Sequence, residues 1–200
     1  MIAIIDYGMG NLLSVQKAFE KVGFPAKIVT DPDEVIKARA VVLPGVGAFK
    51  DAMENLTESN MVDPIYQVIK EGKPFLGICL GLQLLFSESE EFGLTKGLDI
   101  IEGKVRKIPA GVKITHIGWN EIKMVHESPI MKGIDSGSHF YFVHSYYVEP
   151  ENKKVITCQT DYGFEYTSVI TKDNVFGIQF HPEKSSTLGL KILKNFGEMI

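Results

Sequence analysis

The sequence predicts an α/β fold: a mostly parallel, twisted central sheet flanked by helices, with a strand-rich second half. Short β-branched runs alternate with longer amphipathic segments through the first half, the order that builds βαβ units. From about Gly97 the pattern turns strand-rich. No repeat, low-complexity tract or Pro/Ser-rich linker divides the 200 residues, so a single domain spanning 1–200 is expected.

Taken in order, Ile2–Ile5, Ala26–Thr30, Ala40–Leu43 and Pro74–Ile78 read as strands. The amphipathic segments between them begin near Asn11, Asp33, Asp51 and Leu80. The second half offers strands at Ile100–Ile108, Val112–Ile117, His139–Glu149 and Val155–Thr160. It then gives a hairpin, Thr167–Thr171 and Val175–Phe180, turned by Lys172-Asp173-Asn174. A last helix, capped by Ser185-Ser186, carries Leu188, Ile192, Leu193 and Phe196 on one face. Ligands of open α/β sheets sit beyond the carboxyl ends of the strands, so the loops after Asp6, Leu43 and Ile78 are where function is expected.

Composition removes several function classes. A chain of this length can bury roughly 70% of its unfolded surface and needs no disulfide or structural metal. Its two cysteines, Cys79 and Cys158, lack Cys-x-x-Cys spacing, which fits a reducing cytoplasm and neither a secreted scaffold nor a zinc ribbon. The opening Met-Ile-Ala-Ile-Ile-Asp reads as a first strand, not a leader. The longest uncharged stretch, Pro74 to Ser87, falls short of the ~20 apolar residues of a membrane span. A net charge of −4 offers no general attraction to nucleic acid. The small basic groups, Lys104-Val-Arg106-Lys107 and Lys153-Lys154, read as solvated faces.

The strongest motif is Gly77-Ile-Cys79-Leu-Gly81, at the join of a buried-type strand and a helix. Glycines two residues either side of a Cys make the nucleophile elbow, with sulfur in place of oxygen: a tight turn that projects the side chain out of the sheet. The start of a helix also favours thiolate, the reactive form. Most free cysteines are small buried apolar residues, as Cys158 is read here. A thiolate nucleophile needs a base and a group that orients the base. Phe180-His181-Pro182-Glu183 puts an imidazole and a carboxylate at the end of one strand, two residues apart on the same side. Alone, such a His would be structural and such a Glu solvated. Pro44-Gly45-Val46-Gly47 is a strand-to-helix loop that, beside an elbow, can supply one oxyanion donor; the N–H of Leu80 is the other. Gly8-Met-Gly10-Asn11-Leu-Leu13 is no dinucleotide loop, because Leu13 stands at the third Gly position and no ribose-binding acid follows. No His or Cys pair has metal-ligand spacing, so neither metal nor cofactor is expected.

These residues carry a resemblance. Gly77-Ile-Cys79-Leu-Gly81-Leu-Gln83 with Phe180-His181-Pro182-Glu183 is similar to the class I, triad-type glutamine amidotransferases. Ile5-Asp6-Tyr7-Gly8-Met9-Gly10-Asn11, Leu43-Pro44-Gly45-Val46-Gly47, His116-Ile-Gly118-Trp119-Asn120, Tyr141-Phe-Val-His144-Ser145-Tyr146 and His181-Pro-Glu-Lys184-Ser185 resemble, more narrowly, the glutaminase subunits of imidazole glycerol phosphate synthases. The resemblance covers essentially the whole chain. It implies a flavodoxin-like amidotransferase fold, a cytoplasmic enzyme of histidine biosynthesis and hydrolysis of glutamine to glutamate and ammonia. It implies Cys79 as nucleophile, His181 as acid and base, Glu183 as its orienting group, and Val46, Gly47 and Leu80 as the oxyanion hole. Gln83 and Glu91 would hold the substrate's α-amino end, and the Ser145-Tyr146 backbone its carboxylate. A solvent-facing helix residue and a member of an acidic run are the plainer readings of Gln83 and Glu91.

Ammonia released into neutral water becomes ammonium and stops being a nucleophile, so a protected route to a second site is implied. In the resembled family that site lies on a (β/α)8-barrel cyclase subunit, partner in a heterodimer, which makes imidazole glycerol phosphate and an aminoimidazole carboxamide ribotide. Asn11, His116, Trp119, Tyr141 and Lys184 match positions expected near that interface, although an isolated Trp or Tyr is more often core. Thr115 departs from the Pro common in the family before His-x-Gly-Trp-Asn, which bears on the interface and not on the triad. Two other readings stand beside this one: a glutaminase serving a related barrel synthase in surface-polysaccharide or vitamin synthesis, and a non-catalytic flavodoxin-like binding module.

Overall fold

The computed structural model describes residues 1–200. The first half follows the expected alternation: β1 (Ile2–Ile5), α1 (Leu12–Lys21), β2 (Ala26–Val29), α2 (Pro32–Lys37), β3 (Ala40–Gly45), α3 (Phe49–Glu58), α4 (Val62–Lys70) and β4 (Phe75–Cys79). The amphipathic run from Asp51 forms two helices, not one. Asn60 takes a left-handed φ of 56° after α3, the conformation Asn tolerates at a helix end. α5 (Leu80–Leu84) follows β4 directly.

The second half is β5 (Phe86–Ser89), β6 (Thr95–Lys96), β7 (Ile101–Lys107), β8 (His116–Glu121), β9 (Lys123–Met124), β10 (His139–His144), β11 (Tyr146–Pro150), β12 (Ile156–Asp161), β13 (Glu165–Lys172), β14 (Val175–Ile178) and α6 (Ser186–Gly197). Twelve strands form one sheet ordered β2-β1-β3-β4-β14-β13-β11-β7-β5-β6, with β12 and β9 branching from β13. The run from β2 to β14 is parallel. Beyond it β13, β11 and β7 pair antiparallel. β10 and β8 stand apart as a two-stranded ribbon.

Alternation along the parallel strands divides the core into two layers. Ala3, Ile5, Val41, Leu43 and Phe75 join the apolar faces of α2, α3 and α4. Ile2, Ile4, Val42, Leu76 and Ile78 face the other way, onto Val15 and Phe19 of α1 and Ile192, Leu193 and Phe196 of α6. Both sheet faces are therefore covered, as parallel strands require. Each fully buried Phe or Ile contributes about 1.5–3 kcal/mol to holding these layers.

Four expectations are corrected. The helix from Leu80 stops at Leu84, because Leu84 and Leu85 carbonyls accept from Leu98, Ile100 and Ile101 amides and draw the chain into β5. The strand placed at Val112–Ile117 begins at His116; Thr115 has a φ of 77° and Ile114 is exposed. His139–Glu149 is two strands in different sheets, broken at Ser145. Ser185 does not cap α6 with its side chain; its hydroxyl donates to the His181 carbonyl and accepts from the Tyr141 amide.

Candidate active site

The parallel strands point their carboxyl ends at one cleft. β4 ends at Cys79, whose φ of 55° and ψ of −108° are far from any regular element. Such strain persists only when neighbours hold it, and it marks functional turns. The flanking glycines make the turn possible. A Cβ at Gly81 would lie 1.8 Å from the Leu43 carbonyl oxygen, and one at Gly77 would lie 2.7 Å from that of Gly81.

A cavity of about 270 Å³ opens beside Cys79, lined by Val46, Gly47, Leu80, Gln83, Glu91, Val143, His144, Ser145, Tyr146, His181 and Lys184. Every residue expected to handle substrate touches it, and Glu183 lies behind His181. A wider groove of about 590 Å³ near Met124 and Met131 holds neither Cys nor His and suits no such chemistry.

His181 and Glu183 meet differently from the expected strand alternation. β14 ends at Ile178, and Pro182–Lys184 is a single 3-10 turn that brings the Glu183 carboxylate back under the ring. His181 Nδ1 lies 2.8 Å from Glu183 Oε1, both side chains being buried. His181 Nε2 and Glu183 Oε2 have no hydrogen-bond partner, so the nitrogen remains available for chemistry. Burial works against charge on His181, yet the pull of the Cys79 sulfur and the Glu183 carboxylate outweighs it and raises the ring to about 10. Both partners therefore favour the imidazolium once it forms. The Cys79 Sγ itself makes two long contacts, to the Val143 carbonyl at 3.9 Å and from Gln179 Nε2 at 3.8 Å.

Gln83 is buried, not solvent-facing. Its Nε2 donates to the Tyr146 carbonyl (3.0 Å) and to Gln179 Oε1 (3.2 Å), leaving its oxygen as an acceptor suited to an ammonium group. Glu91 is also buried and accepts from the Phe49 amide at 2.7 Å. Burial raises its pKa, the Phe49 hydrogen bond opposes this, and Asp51 adds to it. Val46 is exposed at the cleft mouth, and Gly47 takes a left-handed φ of 104°.

Among the expected interface residues, Trp119 is 54% exposed and meets Tyr141 edge-on at 6.2 Å. Register pairs Trp119 with Tyr141 and Ile117 with Val143 on the ribbon's outer face, which runs down to the cleft. Asn11 precedes α1 with no side-chain cap bond, and Lys184 lines the cleft. His116 is not a surface group: only 3% exposed, it stacks on Tyr162 at 4.0 Å and bonds Tyr166 Oη at 3.0 Å.

Sequence reasoning missed Gln179 and Tyr166, and placed His144 in a motif without giving it a role. Tyr166 sits on β13 and Gln179 just past the end of β14, both among apolar neighbours, and only a buried polar residue in a core-facing position hints at them.

Burial pushes His116 down to about 4 and His144 to about 3. Unfolded chain takes up both protons near pH 6.5 and the folded chain does not, so their contribution is intact above pH 6.5 and drains away as pH falls. Each ring can remove about 1.4 kcal/mol per pH unit through that window. His181 has the opposite sign: raised, it stabilises fully below pH 6.5 and loses this as pH climbs toward 10. Denaturant melts at pH 7 and pH 5 should show wild type losing stability and His144→Asn losing less. Equal losses would contradict a neutral buried His144.

Residues 3–199 match the family Glutamine amidotransferase class-I. An imidazole glycerol phosphate synthase subunit HisH of Moorella thermoacetica is 54% identical, over 100% of this chain and 95% of that protein. HisH subunits of Caldanaerobacter subterraneus and Aquifex aeolicus are each 56% identical, over 100% and 96% of this chain and 98% and 94% of theirs. Among solved structures, PurLQS from Thermotoga maritima superposes with a TM-score of 0.75 at 18% identity, over 99% of this chain and 97% of that one. The Trypanosoma brucei CTPS glutaminase domain with bound acivicin gives 0.70 at 18%, over 99% and 91%. At that identity the structures speak for the fold alone. The family match over nearly the whole chain, together with relatives above half identical, leaves one conclusion: the chain belongs to the class-I glutamine amidotransferase family.

Proposed function

We propose that this chain is the glutaminase subunit of an imidazole glycerol phosphate synthase, hydrolysing glutamine and passing the ammonia to a cyclase partner. The observation that carries the chemistry is the buried His181–Glu183 pair set beside the strained Cys79 in one amino-acid-sized cleft. The acceptor assignment rests on the full-length likeness to HisH subunits.

The Cys79 thiol gives its proton to His181 Nε2 as its sulfur attacks the side-chain amide carbon, and the carbonyl oxygen takes the negative charge. Backbone N–H groups of Leu80 and the Val46-Gly47 turn stabilise that oxyanion. His181, now protonated, gives that proton from Nε2 to the leaving nitrogen, so ammonia departs and a thioester remains. The neutral ring then accepts a proton from water, whose oxygen attacks the thioester. Glutamate leaves as His181 returns the proton to the departing sulfur, restoring the pair. Glu183 fixes the tautomer and offsets the imidazolium throughout. Gln83 Oε1 and Glu91 face the substrate ammonium, and the Ser145-Tyr146 backbone its carboxylate.

The partner is a (β/α)8-barrel cyclase forming a heterodimer in the cytoplasm. Its docking surface includes the Trp119–Tyr141 face, Asn11 and Lys184, with His116 supporting that face from beneath. Exposed aromatics beside a reaction cleft are the kind of anchor that interfaces use, and a dry cleft keeps ammonia unprotonated. Glutamine turnover by the isolated chain should be poor and should rise strongly on adding the cyclase and its ribonucleotide. High activity independent of the partner would overturn the coupling.

A further inference from the structure

The chain passes from the β8–β10 ribbon to the main sheet at Ser145, which belongs to neither ladder. Val143 to Tyr146 nonetheless form one wall of the Cys79 cleft. Pairing with β8 holds Val143 and His144, and pairing with β7 holds Tyr146, whereas the crossing at Ser145 between the two sheets has only the Ile108 amide on its carbonyl and depends on side chains for the rest. A buried chain of hydrogen bonds converges on it. His144 Nδ1 meets the Tyr146 carbonyl at 2.8 Å, and His144 Nε2 meets Tyr166 Oη at 3.1 Å. Tyr166 Oη meets His116 Nδ1 at 3.0 Å, and His116 Nε2 meets Asn120 Nδ2 at 3.4 Å. Asn120 Nδ2 also donates to the Asp161 carbonyl at 2.8 Å, and its Oδ1 accepts from the Glu121 amide.

The direction of every bond follows from its ends. A carbonyl only accepts, so His144 Nδ1 carries hydrogen and Nε2, in a neutral ring, is the acceptor. Tyr166 must then donate to His144, and its oxygen accepts from His116 Nδ1–H. His116 Nε2 is left as the acceptor for Asn120. Both rings are neutral and each has one permitted tautomer. At the other end the Tyr146 carbonyl accepts a second bond, from Gln83, which also holds Gln179, whose amide reaches the Cys79 sulfur.

We propose that His144 is a positioning residue for glutamine hydrolysis: locked by Tyr166 and His116, it holds the Tyr146 carbonyl and thereby the substrate-facing wall and the Gln83–Gln179 pair against Cys79. This rests on the glutaminase reading above. Tyr166 lies on β13, beside the strand that leads to His181, and His116 lies on β8, beneath the exposed Trp119 face. The brace therefore spans both sheets.

The test uses the complex with the cyclase and its ribonucleotide, measuring glutamine KM and kcat together with Tm. Asn places its amide nitrogen where His Nδ1 sits, and Gln places it nearer Nε2. His144→Gln and Tyr166→Phe should raise KM ~10-fold while kcat falls less than ~3-fold, the pattern of lost substrate placement. His144→Asn, which can still donate to Tyr146, should lie much nearer wild type. A purely structural role would lower Tm in all three with KM within ~2-fold of wild type, and that result, or Asn faring no better than Gln, overturns the proposal. A wild-type complex that turns over no glutamine would sink the glutaminase reading and this inference together; active wild type with unmoved variants sinks only the inference.

Discussion

Replacing Cys79 by Ala in the assembled enzyme should remove glutamine-dependent synthesis, by at least ~10⁴-fold, and leave synthesis from added ammonium salt near the wild-type rate. The first half follows from the absence of any substitute in the cleft. The other cysteine, Cys158, is fully buried, and burial pushes its thiol up to about 12. Water could replace sulfur only without the thioester, and His181 alone does not make it a comparable nucleophile. The second half follows from where the side chain sits. Cβ remains, so Ala occupies the same strained backbone and the contacts of Gly77 and Gly81 with their neighbours are unchanged. The Sγ makes only two long contacts, so its removal disturbs little packing. Parallel assays with glutamine and with ammonium salt separate the two halves. Loss of both activities would mean that the substitution damages assembly, contrary to a division of labour between subunits.

Much of the fold was legible because the first half obeys two independent patterns at once. β-branched runs and turn residues mark β1 to β4, and the apolar faces of α1, α3 and α4 repeat at helical spacing. Legibility failed where burial erases periodicity. Leu80 to Phe86 is buried throughout, so nothing in the run shows where helix gives way to strand. It also failed at Ser145, because a β-pattern does not reveal that a strand changes sheets. Of the cleft, Cys79 was legible through its glycines, since no other residue fits where Gly81 meets the Leu43 carbonyl. His181 and Glu183 were found for a partly wrong reason: their meeting depends on the 3-10 turn, not on strand alternation. The His144–Tyr166–His116 brace was invisible, since its members come from three strands distant in sequence. His116 illustrates the limit best. It sits in the block that most suggested a contact surface, yet on β8 it points inward while Ile117 and Trp119 point outward. A period of two assigns faces only once the strand is placed correctly.

Replacing Glu183 by Gln should lower glutamine turnover about 10³-fold, less than the loss of Cys79, while leaving ammonium-dependent synthesis intact. Gln has nearly the same shape, and its oxygen can still accept from His181 Nδ1, so the ring need not move. The charge is lost. A buried carboxylate with one oxygen bonded to His181 and the other unpartnered is costly to hold, and a neutral residue would be cheaper for stability alone. The carboxylate is therefore best understood through the imidazolium it faces. Together with Cys79 it raises His181 to about 10; without it the ring gives up its proton at lower pH. The fraction of His181 able to protonate departing ammonia falls, and the positive charge that pairs with the sulfur falls with it. An amide can also turn its NH₂ toward Nδ1 and select the wrong tautomer, which places hydrogen on Nε2 in the neutral ring and blocks its service as a base. Turnover should accordingly recover in part at lower pH, where protonation restores the imidazolium, and the wild-type enzyme should show no such gain between pH 8 and 6.5 (about its unperturbed range). Measuring kcat for both enzymes across that interval, with Tm and ammonium-dependent synthesis as controls for folding and assembly, decides the matter. A loss equal to that of Cys79→Ala, or a pH response identical to wild type, would rule out an orienting and charge-balancing role for Glu183.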